Sequence, residues 1–228
     1  MRHRDAPKLI YMVNPKSPHA EAYRTLRTNI QYATAGGKKE YRSLIVTSAE
    51  PAEGKTTTIS NLALALAHAG KKTLLIDADL RKSSIHHVFR LANTNGLTDV
   101  LIGEEEPEAC IEPVTDYPLY VLTAGRRVAN PAEELASSRM HSLIKRWQEE
   151  YDIVLLDTPP VLPVTDAQLL SSQVDAVILV LRSGHIHRQK AIKAKQLLEH
   201  VSANLIGTVL NQKQRSHLND TYYYGDDG

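Results

Sequence analysis

Residues 43–70 read SLIVTSAEPAEGKTTTISNLALALAHAG: an apolar stretch, a short turn ending in Gly-Lys-Thr, and a long run of helix formers. This succession limits the possible folds more than any other part of the chain. Gly54, Lys55 and Thr56 match the end of the phosphate-binding loop pattern G-x-x-x-x-G-K-[ST], which needs a strand before it and a helix after it. The backbone must curl there so that successive N–H groups point at phosphate oxygens, and the helix N-terminus adds its partial positive charge. Lys55 can reach the β- and γ-phosphates of a nucleotide, and the Thr56 hydroxyl can ligate Mg²⁺, a hard cation that prefers oxygen. Ala49 stands where the first glycine of the pattern is usual. The match is therefore not strict, and a strand-to-helix turn that merely contains Gly-Lys-Thr is the plainer alternative.

Five further runs repeat the apolar character of residues 43–48: 72–79, 119–123, 152–157, 175–181 and 205–210. They are short, continuous and rich in Val, Ile and Leu, as parallel strands buried on both faces are. Helical stretches alternate with them, over 56–70, 140–150 and 187–201, and the first closes on Gly70 as a C-cap. Such alternation predicts an α/β fold of the P-loop type, a central, mainly parallel sheet flanked by helices. A single domain over 1–228 is enough to hold it. A formal net charge of +1 speaks against a nucleic-acid partner. One cysteine, Cys110, cannot form an internal disulfide or supply a four-cysteine cluster, which fits a reducing compartment. No run approaches the roughly 20 apolar residues of a bilayer span, and no apolar stretch follows the N-terminal charges as in a secretory signal. The expected location is the cytoplasm, unless a partner holds the chain at a membrane.

The two ends differ from this body. Residues 1–18 contain Pro7, Pro15 and Pro18 without a clear period and are expected to be extended. PHAEAYRTLRTNIQYA (18–33) predicts a helix with Ala22, Leu26 and Ile30 on one face. Glu21, Arg24 and Arg27 lie on it at i, i+3 and i+6, where Glu21 and Arg24 can simply pair with each other. Residues 212–228 are polar as far as Tyr222, Tyr223 and Tyr224 and then end Gly-Asp-Asp-Gly. A flexible tail is expected there, with a short terminal strand as the alternative, because Tyr favours strands.

Two of the apolar runs end in carboxylates. LLIDADLRK (74–82) carries Asp77 and Asp79, and IVLLDTPPV (153–161) carries Asp157. Open α/β sheets bind ligands at the carboxyl ends of their strands, so three acids beside a phosphate loop make a Mg²⁺ and acid–base site. Each alone could be a capping aspartate. In order along essentially the whole chain, SAEPAEGKTT, LLIDADLRK and VLLDTPPV resemble the Walker A, A′ and B motifs of the bacterial tyrosine kinases. These are P-loop proteins unrelated in fold to eukaryotic protein kinases. Ala52, where the family often has Gly, and Ser83, where a Pro commonly follows Asp-Leu-Arg-Lys, depart from its pattern without removing a ligand side chain.

The resemblance implies an ATP-dependent protein-tyrosine kinase. It places the nucleotide on Glu53, Gly54, Lys55, Thr56 and Thr57, with the Asn211 amide against the adenine, although Asn211 reads equally well as a turn residue. It assigns Mg²⁺ to Thr56, Asp79 and Asp157, and it makes Asp77 the base for the incoming tyrosine, though the residues alone do not separate Asp77 from Asp79. Arg81 would stabilise transferred charge, or is an ordinary surface arginine. Glu21, Arg24 and Arg27 match the family's E-x-x-R-x-x-R oligomerisation motif, which implies a homo-octameric ring. In such a ring Tyr222, Tyr223 and Tyr224 would accept phosphate in trans. The chain looks most like the cytoplasmic kinase subunit of Gram-positive capsule and exopolysaccharide systems. That likeness implies recruitment to the inner face of the membrane by the cytoplasmic segment of a separate transmembrane adaptor. Protein tyrosine substrates and a cognate tyrosine phosphatase are implied with it. A positioning or partition ATPase shares the fold and both acidic motifs, but it normally carries a signature lysine early in the loop, where this chain has Glu50, and it lacks a tyrosine tail.

Overall fold

The computed structural model describes residues 9–33 and 40–213. The strands are β1 (Ser43–Ser48), β2 (Thr73–Asp77), β3 (Ile111–Pro113), β4 (Leu119–Leu122), β5 (Ile153–Asp157), β6 (Ala176–Arg182) and β7 (Leu205–Asn211). The helices of the described residues are α1 (Ile10–Val13), α2 (Pro18–Ala33), α3 (Lys55–Ala67), α4 (Ile85–Phe89), α5 (Leu97–Ile102), α6 (Pro107–Cys110), α7 (Pro131–Ala136), α8 (Ser138–Glu150), α9 (Asp166–Ser171) and α10 (Arg188–His200). The strands form one sheet in the order β3-β4-β2-β5-β1-β6-β7, parallel throughout except for β3 against β4. The expected α/β architecture is thus the observed one. Among the described residues no helix is long and apolar enough to cross a membrane.

Strand alternation decides which helices cover which face. Leu44, Val46, Leu75, Leu155, Ile178 and Val180 share a core with α1, α2, α3 and α4. Ile45, Leu74, Ile76, Leu156, Val177 and Leu179 point the other way, into a core built with α5 to α10. Period two continues to the strand ends, so Asp77 and Asp157 emerge on the α3 side, the side of the phosphate loop. Parallel register sets them level, with Asp77 opposite Asp157 and Val46 of β1 opposite Asp157 on its other flank.

Three local features depart from the sequence reading. β3 has three residues, one of them Pro113, and is too short to show a pattern. Residues 10–13 form a one-turn helix where an extended segment was expected. Docking explains it: Tyr11 is buried, and the Ile10 amide donates to Asn61 Oδ1 of α3 at 2.7 Å. In α2 the inward face runs through Ala20, Leu26 and Ile30, while Ala22 is exposed. Gly70 does close the α3 segment, at φ +84, with the Lys71 amide bonded back to the Leu66 carbonyl at 3.2 Å.

Candidate active site

The loop between β1 and α3 takes its shape from its own buried groups. Glu53 is 1% exposed, and its carboxylate accepts from the amides of Glu50 (2.8 Å) and Arg182 (3.2 Å). Its side chain therefore holds the loop from inside rather than facing a ligand. Ser48 Oγ donates to the Glu50 carbonyl at 2.8 Å. Two residues adopt positive φ: Gly54 at +92, and Ala52 at +65, the position where a glycine would sit without strain. Gly54 suits this position because its left-handed φ strains any side chain, and a Cβ would also push Asn211 Nδ2 aside from 2.0 Å. α3 then starts at Lys55 with Gly54 as its N-cap, which leaves the first-turn amides facing the loop.

The charged groups converge at this helix start. Lys55 Nζ lies 3.0 Å from Asp79 Oδ2 and 3.7 Å from Asp157 Oδ1. Burial works against the ammonium, but Asp157 and Asp79 outweigh it and hold the Lys55 pKa above its ordinary value. Thr56 Oγ1 donates to Asp157 Oδ2 at 2.6 Å. Asp157 is fully buried; burial pushes its pKa up and the Lys55 charge pulls against that. Its Oδ1 is buried without a hydrogen-bond partner, an oxygen able to receive a cation or the water bound to one. Asp77, also fully buried, does not share the lysine. Its Oδ1 accepts from the Asp79 amide (3.2 Å), and its Oδ2 from the amides of Ser84 and Ile85 (both 2.9 Å). Burial and the neighbouring Asp157 raise its pKa to about 7.

Among the described residues no three His, Cys, Asp or Glu side chains converge as a metal cage. The oxygens present suit Mg²⁺ all the same, because this ion keeps several waters and takes few protein ligands. Thr56, Asp79 and Asp157 are the residues that would hold it.

Two expected contacts find other partners. The Arg81 guanidinium lies flat on the buried Asp166 of α9, with Nε and an Nη at 2.8 and 2.9 Å, and so ties the β2–α4 segment to α9. A role for Arg81 on transferred charge would require this pair to exchange. Asn211 does reach the loop: its Nδ2 donates to the Glu53 carbonyl (2.9 Å) and its Oδ1 accepts from the Gln212 amide (2.9 Å), which leaves one N–H and one lone pair of the amide for a further partner. The Thr57 side chain is half-buried, and its carbonyl accepts from Asn61. On α2, Arg24 Nε pairs with Glu21 at 2.6 Å within the helix, and Arg27 donates to the Ala65 carbonyl of α3 at 2.9 Å. Tyr222, Tyr223 and Tyr224 lie outside the described residues. Three participants were not singled out from the sequence: Asp166, Ser84, whose hydroxyl lies 3.2 Å from Thr56 Oγ1, and Lys190 of α10, which pairs with Glu50 of the loop. A serine two residues after Asp-Leu-Arg-Lys was the only local hint for any of them.

Comparison with known proteins agrees with this geometry. Residues 46–212 match the family described as AAA domain. The tyrosine-protein kinase YwqD of Bacillus subtilis is 44% identical over 217 residues, covering 95% of this chain and 91% of that protein. Among solved structures, the chimerical protein CapA2B2 superposes with a TM-score of 0.86 at 38% identity, over 91% of this chain and 90% of the other. The kinase domain of the Escherichia coli tyrosine kinase ETK gives 0.84 at 33% identity, over 99% of this chain and 88% of the other. This chain brings Lys55 to Asp79 and Asp157 with Asp77 level beside them, and it is alike over nearly its whole length to the kinases named, so it belongs to the bacterial tyrosine kinases.

Proposed function

We propose that the chain transfers the γ-phosphoryl group of ATP to tyrosine hydroxyls, first to Tyr222, Tyr223 and Tyr224 of a neighbouring copy, within an inter-subunit ring. The observation that carries the chemistry is the division of labour among three acids. Asp79 and Asp157 pair with a cation, whereas Asp77 hydrogen-bonds to backbone amides and takes up a proton near pH 7. A base is most useful when its pKa lies near the working pH, and a phenol of pKa about 10 needs one. Asp77 therefore accepts the tyrosine proton. Lys55 leaves its carboxylates for the phosphates, and the α3 N-terminus supplies amide donors to the same oxygens. Thr56, Asp79 and Asp157 would hold Mg²⁺, which when bound would neutralise the charge that develops during transfer.

Several wider readings go with this one. The likeness to YwqD and CapA2B2 supports a place in capsule or exopolysaccharide synthesis, at the inner face of the membrane beside an adaptor's cytoplasmic segment. A tyrosine phosphatase would reset the tail. The competing reading, a partition-type ATPase switch, is disfavoured at Glu50: a carboxylate held by Lys190 occupies the place of the signature lysine. Pure protein incubated with ATP and Mg²⁺, then mapped for phosphotyrosine with and without an adaptor segment, tests the proposal. ATP hydrolysis without phosphotyrosine in either arm would sink it.

A further inference from the structure

Ser84 is the N-cap residue of α4, yet its hydroxyl makes no cap bond. Serine at that position ordinarily accepts from an amide in the first helical turn. Here the Asp77 carboxylate serves the start of α4 instead, taking the amides of Ser84 and Ile85. The freed hydroxyl turns to the phosphate loop and donates to Thr56 Oγ1 at 3.2 Å.

The direction of that bond follows from donor counting. An ionised carboxylate only accepts, so the single hydrogen of the Thr56 hydroxyl is spent on Asp157 Oδ2 at 2.6 Å. Ser84 must then be the donor, and it occupies one of the two Thr56 lone pairs. The Lys55 ammonium lies 3.5 Å from the same oxygen, toward the other. When Lys55 moves to phosphate, one lone pair of Thr56 opens, and its direction is already fixed by Asp157 on one side and Ser84 on the other.

We infer that Ser84 is a positioning residue of the Mg²⁺ site: its hydroxyl locks the Thr56 oxygen so that the lone pair exchanged from Lys55 points at the incoming cation. Its backbone fixes Asp77 at the same time, so the metal ligand and the base are set by one residue. This rests on the ATP and Mg²⁺ reading above.

The test is the Mg²⁺ dependence of fluorescent ADP binding to the full chain, for wild type, Ser84→Ala and Ser84→Thr. Groups that orient a metal ligand typically alter metal affinity by 10–100-fold, so Ser84→Ala is expected to raise the Mg²⁺ midpoint by about tenfold. Its Mg²⁺-free ADP affinity should not change, and its melting temperature should fall only by the loss of the single Ser84–Thr56 bond, since no cap bond is lost. Ser84→Thr keeps the hydroxyl and should restore the wild-type midpoint. An unchanged midpoint in Ser84→Ala overturns the inference alone. So does a lowered melting temperature with ADP affinity lost equally at every Mg²⁺ concentration, which is the signature of a plain helix cap. A wild type without Mg²⁺-dependent ADP binding overturns the reading of the site together with it.

Discussion

Among the described residues Lys55 is the one cation paired with the buried Asp157, and that sets the consequence of losing it. Lys55→Met should reduce autophosphorylation by about 10²–10³-fold, the usual cost of one lost charge-stabilising donor. It should also destabilise the fold, because removing one partner of a buried pair leaves an uncompensated charge, at a cost of about 3 kcal/mol. The two effects separate by pH. Without Lys55 the Asp157 pKa rises further, a raised carboxyl pKa favours the folded state at low pH, and the variant should regain stability as pH falls from 8 to 5 in denaturant titrations. Asp77 gives a second pH signature. Its carboxyl has a pKa of about 7, is protonated below that and accepts a proton only above it, so the phosphorylation rate should climb through about pH 7 and then level. Asp77→Asn should be slow and flat across that range; a wild-type profile without the inflection would remove Asp77 from the role of base. Ala52 holds φ +65 on the exposed rim of the loop. The left-handed region costs an alanine about 1 kcal/mol more than a glycine, so Ala52→Gly should raise stability by about that amount in thermal melts.

Among the elements, the central strands β1, β2 and β5 were the most legible, because each buries both faces and is written as a continuous apolar run. The loop and its three acids were legible for the same reason: they terminate those runs. β3 escaped notice because three residues with a proline carry no period, and α1 because its turn depends on Asn61 of α3, far away in sequence. Ser84, Asp166 and Lys190 escaped because their roles come from partners 28, 85 and 140 residues away. On α2 the geometry sharpens the test of oligomerisation. Arg27 is bonded to the Ala65 carbonyl of its own chain, so changing it confuses assembly with folding. Glu21 makes only an exposed pair with Arg24, which adds little to stability. Glu21→Lys should therefore leave the melting temperature nearly unchanged while breaking a ring into monomers in light scattering. A large particle that survives the substitution would leave α2 as a solvated face.

For the molecule as a whole, the proposed tail phosphorylation would act on assembly. Each phosphate adds about −1.5 to −2 charges to a tail, and tails gathered in one ring would repel one another. Replacing Tyr222, Tyr223 and Tyr224 by Phe should leave ATP binding intact and keep the assembly whole after ATP addition, whereas the wild type should come apart. Mass spectrometry that finds phosphate chiefly on Tyr23, Tyr32 or Tyr151 would refute the tail as principal acceptor. The strand order adds a consequence in time rather than space. β1 sits between β5 and β6, so the phosphate loop, made early, pairs with strands made more than a hundred residues later. Thr56 and Asp157 are 101 residues apart, and Asn211 reaches Glu53 across 158. At roughly 5–20 residues per second of synthesis, a growing chain carries its Gly-Lys-Thr turn for about 5–20 s before Asp157 exists, and longer before Asn211 closes over it. A ribosome-bound fragment ending near residue 150 should thus carry the loop but bind no nucleotide, and competence should come only as β7 leaves the ribosome, just ahead of the tyrosines proposed as its acceptors.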